Sequence, residues 1–214
     1  LVERALEHRA QEIEARKRYE GTLRSLVTAL EASHPFTDGH SERVAEFAEL
    51  LCEDLLLAGR ERANIVLAAQ LHDIGKIGIR HEQLNKAGSL TDDEITMFRS
   101  HPRKGKRILE PIPFLAKLIP GALFHHEHWD GTGYPQKLKG DDIPLFGRII
   151  AVADTYDAMT SDRAYRKALP HEVAVTELNK CAGTQFDPHL VDVFIRELER
   201  WRTEQSLVSN GTGL

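Results

Sequence analysis

Cysteine is scarce in this chain of 214 residues, which contains only Cys52 and Cys181. Both lie within apolar helical patterns, so we expect them to be reduced residues of the core. Two thiols at these positions indicate neither a disulfide framework nor a thiolate metal site. The composition therefore excludes the disulfide-stapled class of small secreted proteins.

Long hydrophobic runs are also missing. No stretch approaches the ~20 apolar residues of a membrane span, and the N-terminus lacks the short apolar segment of a signal peptide. We therefore expect a cytoplasmic segment that does not enter the membrane. Because the first residue is Leu1 rather than methionine, this segment is consistent with a piece of a larger sensor protein.

The chain has no excess of positive charge, since its net charge is -5 and its pI is near 6.1. This excludes the broad basic field that draws proteins onto DNA, so any nucleotide must be held by local groups. A hydrophobic content of 41% suffices for a substantial core. The length predicts one domain, with or without an appendage.

Apolar residues recur at helical spacing and strand alternation is weak, so we predict an all-α fold, a compact helical bundle. Residues 1–32 are predicted to form a long N-terminal helix, 33–203 the functional domain and 204–214 a disordered tail. Two interpretations of the first helix stay open: a solvated helix packed on the domain, or the end of a coiled-coil linker from an upstream domain. Either allows a homodimer through this helix.

Capping residues, glycines and prolines predict where the helices begin and end. Thr91 and Glu94 form a capping box that predicts a helix starting there and containing His101, with an interruption near Pro102. The glycine- and proline-rich stretch 129–147 predicts a long ordered loop, and such loops are often functional. The other predicted helices are 41–57, 60–71, 114–127, 148–160, 171–181 and one that opens at Asp187-Pro188.

Five histidines and two aspartates combine the ligand types of a binuclear metal site. Imidazole nitrogens suit transition metals and a carboxylate can span two cations, so the mixture favours Fe or Mn over a thiolate-held structural zinc. We expect a catalytic site for two divalent ions, with open positions for water and phosphate oxygens. The predicted ligands are His40, His72, Asp73, His101, His125, His126 and Asp154.

Sequence motifs surround these residues in a specific order. HDIGK begins at His72, HP at His101, HHExxDGxGYP covers 125–135 and DxxDAMTxxRxYR covers 154–166. A lone His-Asp pair is weak evidence, whereas the ordered series is strongly specific. The chain resembles an HD-GYP domain, a branch of the HD phosphohydrolase superfamily, from about Leu23 to Arg196. The predicted domain at 33–203 would be the HD-GYP catalytic domain.

The resemblance implies hydrolysis of the bacterial second messenger cyclic di-GMP to pGpG, and in some members GMP, by attack of a metal-bridging hydroxide. It implies that Asp73 bridges the two ions. Some members carry a glutamate four residues before the first ligand histidine and use it for a third metal. Phe36 occupies that position here, so we expect two ions. The remaining ligands divide between the ions as His40, His72 and Asp154 on one, and His101, His125 and His126 on the other.

Basic side chains beside the ligands are predicted to hold the substrate. Lys76 is placed to reach a phosphate oxygen and is predicted, with Asp73, to be catalytic. Arg163 and Arg166 are predicted to hold the second phosphate or a guanine edge, with surface ion pairs to aspartates as the open alternative. Asp157 is included among the substrate-binding residues, where it would orient a ligand or an arginine.

The loop Gly133-Tyr134-Pro135 is predicted to shape the nucleotide pocket. Glycine permits close backbone approach and the tyrosine can stack on a base, although a structural turn remains the alternative. In the family that the chain resembles, this loop is implicated in contacts with GGDEF cyclase domains, which makes such proteins candidate partners. The remaining histidines are predicted not to bind metal: His8, His34, His81, His128, His171 and His189.

Three functions stay open. The leading one is a phosphodiesterase that acts on cyclic di-GMP. The second is a phosphodiesterase for another cyclic dinucleotide or for pGpG. The third is a catalytically slow module that senses the nucleotide or docks onto a cyclase.

Overall fold

The computed structural model describes residues 2–32, 39–57, 59–79, 91–162 and 166–211. Within these ranges the chain is helical and contains no strand, which confirms the all-α prediction. Single-turn 3₁₀ helices occupy Ile74–Gly78, Pro113–Leu118 and Gly140–Asp142. The α-helices are α1 Val2–Ala32, α2 His40–Asp54, α3 Gly59–Leu71, α4 Asp92–Phe98, α5 His101–Leu109, α6 Ile119–Phe124, α7 Leu145–Thr160, α8 His171–Cys181 and α9 Pro188–Gly211.

Helix α2 lies at the centre of the bundle and packs against α3, α7 and α9. Its apolar residues recur at spacings of three and four, so that Val44, Phe47, Ala48 and Leu51 form one buried face. Gly39 precedes the helix with a φ of 68°, a left-handed conformation that glycine adopts without a steric cost. This turn sets His40 as the first helical residue.

Aromatic side chains join α2, α7 and α9 behind the polar ends of these helices. The ring of Tyr156 lies edge-on to Phe47 at 4.9 Å and to Phe194 at 5.3 Å between centroids. The geometry is the edge-to-face contact that aromatic pairs prefer. Since Tyr156 belongs to the same helix as Asp154, the cluster fixes the position of that helix in the bundle.

Two helix breaks lie beside the predicted ligand histidines, and the first of them was predicted near Pro102. The capping box of Thr91 and Glu94 is present, but α4 ends at Phe98. His101 instead begins α5, with Pro102 in its first turn, where a proline needs no N–H partner. The helix predicted at 114–127 is likewise divided, and α6 ends at Phe124, so that His125 and His126 lie just beyond it.

Each terminal helix is packed along part of its length and exposed along the rest. The C-terminal half of α1 packs through Leu23 and Val27, which are 6% exposed, whereas Leu6 and Ile13 of its first half are exposed. At the other end, α9 runs to Gly211, which corrects the predicted disordered tail over residues 204–211. Residues 202–207 are exposed and continue the helix through backbone bonding and favourable intrinsic propensity rather than burial.

Within the described residues, no helix combines the length and apolar character that a bilayer crossing requires. The predictions for Phe36, His34, His81 and Arg163 concern residues outside the described ranges.

Gly75 permits the close approach of the 3₁₀ helix Ile74–Gly78 to α5. A Cβ atom at this position would lie 2.0 Å from the carbonyl oxygen of His101 and 2.5 Å from the amide nitrogen of Gly105. Both contacts are with backbone, which cannot rotate away as a side chain can. The glycine of the HDIGK motif is therefore a packing requirement that holds Asp73 near His101.

We expect Gly75→Ala to lower the free energy of unfolding by roughly 3 kcal/mol, because the added methyl group forces two backbone segments apart. Denaturant-induced unfolding measures the change. The control is Gly21→Ala in α1, where a Cβ meets nothing within 4 Å. That change should be neutral or stabilising by up to about 1 kcal/mol. Equal stability of the two variants would contradict this account of the glycine.

Candidate metal centre

Seven side chains from five separate segments converge at the polar ends of the bundle. His40 begins α2, His72 and Asp73 follow α3, and Asp154 lies in α7. The ligand-type atoms of His40, His72 and Asp73 lie within 4.8 Å of one another. Asp154 joins this group, since its Oδ1 is 3.4 Å from His40 Nε2 and 4.0 Å from His72 Nε2.

A second group of three histidines adjoins the first. The ligand-type atoms of His101, His125 and His126 also lie within 4.8 Å of one another. Asp73 touches both groups, because its Oδ2 is 3.4 Å from His72 Nε2 while its Oδ1 is 3.3 Å from His101 Nε2. One carboxylate thus faces two clusters of imidazoles with its two oxygens, which is the geometry of a bridging ligand.

Backbone carbonyls orient three of the imidazole rings. The Nδ1 atoms of His72, His101 and His125 lie 2.7, 2.7 and 3.1 Å from the carbonyl oxygens of Ala69, Phe98 and Gly121. A carbonyl can only accept, so Nδ1 carries a proton in each ring and Nε2 is the atom that faces the centre, where it can bind a cation when it is unprotonated. Metal-binding histidines are held in this way in proteins.

Unpaired buried atoms support the fit of these residues to metal cations. His72 Nε2 and Asp73 Oδ1 are buried without a hydrogen-bond partner among the described residues. Buried polar atoms are rarely left unpaired unless an ion or water satisfies them. Donors of the imidazole and carboxylate type, arranged around one point, suit a first-row transition metal.

Burial and neighbouring charges set the protonation of the histidines. Burial lowers the pKa of His126 to about 3 and lowers that of His125 well below its usual range, so both are neutral at pH 7. Burial also acts to lower the pKa of His72, but the Asp73 carboxylate outweighs it and raises the pKa to about 9. A carboxylate that attracts a proton to His72 equally attracts a metal cation there.

Asp157 lies behind the centre and orients His40. Its carboxylate is 1% exposed and accepts hydrogen bonds from His40 Nδ1 at 2.7 Å and from the guanidinium of Arg43. The hydroxyl of Ser161 donates to it as well, at 3.0 Å. Burial alone would raise the pKa of Asp157, but these donors outweigh it and lower the pKa to about 2. These contacts are with a predicted ligand and an arginine, the two kinds of group that Asp157 was predicted to orient, and a substrate contact by it stays a prediction.

A cleft of about 470 Å³ opens beside the first group, lined by His40, Asp154, Lys76 and Arg166 among others. The ammonium group of Lys76 pairs with Asp73 Oδ2 while remaining partly exposed. Arg166 donates from Nη2 to the carbonyl oxygen of Ala158 at 2.6 Å, at the end of α7. The alternative of surface ion pairs is not what the described residues show for Arg166.

The Gly133-Tyr134-Pro135 loop folds back onto the histidine segment. A Cβ on Gly133 would lie 2.2 Å from the amide nitrogen of His128, so the close approach is to the protein's own backbone. The ring of Tyr134 stacks on His126, with centroids 4.8 Å apart, and Arg103 donates to the carbonyl oxygen of Pro135. These contacts give the loop a structural role in holding His126, and a substrate contact by it stays a prediction.

Glu127 anchors this loop from below. Its carboxylate is 3% exposed and accepts hydrogen bonds from the amide nitrogens of Gln136 at 2.6 Å and Leu138 at 3.0 Å. The sequence prediction did not include Glu127 or Arg43. The signal for Glu127 was its place inside the HHExxDGxGYP motif, whereas Arg43 stands in no motif and gave none.

Residues 24–190 match the HD domain family. The chain belongs to this family. The resemblance to HD-GYP domains that the motifs predicted is thereby confirmed. This HD domain is 41% identical to the cyclic di-GMP phosphodiesterase response regulator RpfG of Xanthomonas campestris pv. campestris, over 86% of the chain and 49% of that protein. It is 38% identical to the 3'3'-cGAMP-specific phosphodiesterase 3 of Vibrio cholerae, over 78% of the chain and 37% of that protein.

A solved structure shares the fold. The crystal structure of a cyclic GMP-AMP specific phosphodiesterase of V. cholerae, V-cGAP3, superposes with a TM-score of 0.66 at 22% identity, covering 86% of this HD domain and 49% of that chain. The chain spans half or less of the length of these curated relatives.

We expect Asp157→Asn to weaken metal binding by this HD domain by roughly 10–100-fold, because His40 loses the charged acceptor that orients its ring. Competition with a chromogenic chelator measures the affinity directly, without reference to activity. Asp162→Asn provides the control, since that carboxylate is nearby but exposed and pairs with Lys167. An unchanged affinity in Asp157→Asn would show that this hydrogen bond does not support the site.

Proposed function

We propose that this HD domain is a metal-dependent phosphodiesterase that hydrolyses cyclic di-GMP to pGpG, with GMP as a possible further product. The observation that carries the proposal is the convergence of seven ligand-type side chains beside a cleft that also contains Lys76 and Arg166. The cationic side chains in this cleft can bind the anionic oxygens of a phosphate through charge-assisted hydrogen bonds. Relatives named as cyclic di-GMP phosphodiesterases support the same activity.

We assign the seven predicted ligands to two divalent ions, with Fe or Mn as the preferred metals. Asp73 would bind both ions. His40, His72 and Asp154 would complete one site, and His101, His125 and His126 would complete the other. Two cations held by these residues would lower the pKa of a bound water and neutralise charge that develops on the phosphate. No serine or cysteine nucleophile is required.

The chain's own residues would position the substrate. Lys76 contacts Asp73 and lines the cleft, so its ammonium group is placed to donate to a phosphate oxygen. Arg166 lies at the same cleft and would hold the second phosphate through its planar guanidinium group. Arg163 keeps its predicted role as a second phosphate or guanine contact.

A second candidate substrate is 3'3'-cGAMP, since relatives of similar identity are named as specific for it. A slow sensing or cyclase-docking module is the less favoured alternative, because every position of the seven-ligand set carries a competent residue. Docking of GGDEF proteins, a homodimer through α1 and a cytoplasmic location stay predictions.

The anaerobically purified protein, loaded with Fe or Mn, should convert cyclic di-GMP to pGpG. Chromatography follows the products, with 3'3'-cGAMP and pGpG as parallel substrates. Asp73→Ala should lower turnover to background, because it removes the group shared by the two clusters. Asp192→Ala, on the exposed side of α9, is the control and should keep full activity. No turnover of any of these substrates by metal-replete protein would refute the proposed activity.

Metal analysis of the loaded protein should give two ions per chain. Phenylalanine offers no donor atom, so Phe36 cannot supply the additional ligand that a third ion requires. Phe36→Glu should increase the metal content towards three. Three ions in the unmodified protein would contradict the two-ion assignment.

A further inference from the structure

A second pocket adjoins the cleft at the end of α7. Its volume is about 440 Å³, and it shares Thr155, Met159 and Arg166 with the cleft. Leu169, Val173 and Phe186 form its apolar wall. The volume lies within the range of small-molecule sites in proteins, which are mostly apolar with a few polar groups.

We propose that this pocket binds one purine base of the cyclic dinucleotide, and that Glu177 makes guanine its preferred base. The inference rests on the proposed function, which puts the phosphates in the adjoining cleft. In a dinucleotide each base is joined to its phosphate through a single ribose. A phosphate site at Arg166 therefore requires a base site beside it, and the second pocket opens at that residue.

The apolar wall suits a flat aromatic ring. Phe186 is 2% exposed and is fixed in the core, whereas Val173 is 43% exposed and lies where the pocket meets solvent. A base that enters between them covers Val173 and contacts the polarisable thioether of Met159. Removal of this apolar surface from water favours binding in proportion to the area that the base covers.

Two polar side chains line the same pocket. Glu177 lies on α8, and Gln185 lies in the turn between α8 and α9, where its carbonyl oxygen accepts a hydrogen bond from the Trp129 amide at 3.1 Å. The turn is thereby tied to the HHExxDGxGYP segment, and the backbone at Gln185 is fixed. The pocket lining thus includes a side-chain amide, carried on a fixed backbone, and a carboxylate.

The carboxylate of Glu177 favours guanine. Guanine presents N–H donors at N1 and N2 of its Watson–Crick edge, and a carboxylate accepts both, whereas adenine has an acceptor at N1 and no amino group at C2. Lys180 lies 3.5 Å from Glu177, but its side chain is 71% exposed and that of Glu177 is 44% exposed, so this ion pair is weak and leaves the carboxylate able to bind a base.

The test is equilibrium binding of a non-hydrolysable phosphorothioate analogue of cyclic di-GMP to the Mn-loaded protein. Val173→Trp fills the pocket and should weaken binding roughly tenfold or more, by removing the base contact. Asn179→Trp places the same side chain on the exposed part of α8, outside the pocket, and should leave the affinity unchanged. Equal affinities in the two variants, or equal losses, would overturn the proposal.

Two further measurements separate the pocket from the activity and from folding. Hydrolysis of bis(p-nitrophenyl) phosphate, which lacks a base, should be the same in Val173→Trp and the unmodified protein. If it is the same while dinucleotide binding is also unaltered, the pocket assignment fails and the phosphodiesterase stands. If the unmodified protein neither hydrolyses this ester nor binds the analogue, the proposed function fails and the pocket assignment with it. Val173→Glu, a helix-compatible change at an exposed position, should weaken binding even if the tryptophan variant misfolds.

Base preference tests Glu177 itself. Glu177→Gln should reduce the ratio of affinities for the analogues of cyclic di-GMP and cyclic di-AMP by roughly tenfold, because a charged acceptor is lost from the guanine edge. Glu172→Gln on the same helix lies outside the pocket and is the control. An unchanged ratio in Glu177→Gln would remove Glu177 from base recognition.

Discussion

The structure depends on the concentration of buried imidazoles and carboxylates around Asp73. His72 and His125 are almost completely buried, and Asp73 lies between the two groups of histidines with one oxygen towards each. Such a cluster is costly in a protein interior unless its charges and lone pairs are matched. Metal cations would match these charges and lone pairs, and the helices bring the side chains close enough together to bind them.

Helix ends rather than helix faces supply most of the donors. His40 and His101 begin helices, while His72 and His125 immediately follow them. Side chains at helix ends extend beyond the packed part of the bundle. Several helices can therefore direct side chains to one position without burying polar groups in the interfaces between the helices. Asp154 is the exception, because it lies within α7, whose buried apolar residues form part of the core.

A layer of fixed contacts surrounds the donors and determines their orientation. Backbone carbonyls hold three imidazole rings, and Asp157, itself held by Arg43, takes the same part for His40. Tyr134 stacks on His126, and Glu127 accepts a backbone hydrogen bond from the loop that contains Tyr134. The loop and the bundle together therefore fix the orientation of the candidate ligands. The centre is open to solvent at the cleft that Lys76 and Arg166 line.

The sequence by itself determined the helical class, the bounds of helices such as α8, and the motif series that contains the seven candidate ligands, because periodicity and motif order are local signals. Tertiary structure decided the rest. Local patterns predicted an interruption near Pro102, but they did not show that the 3₁₀ helix at Gly75 packs closely against the helix that His101 begins. Nor did they show that Arg43 supports Asp157, because 114 residues separate the two and only the folded chain fixes the direction of their side chains.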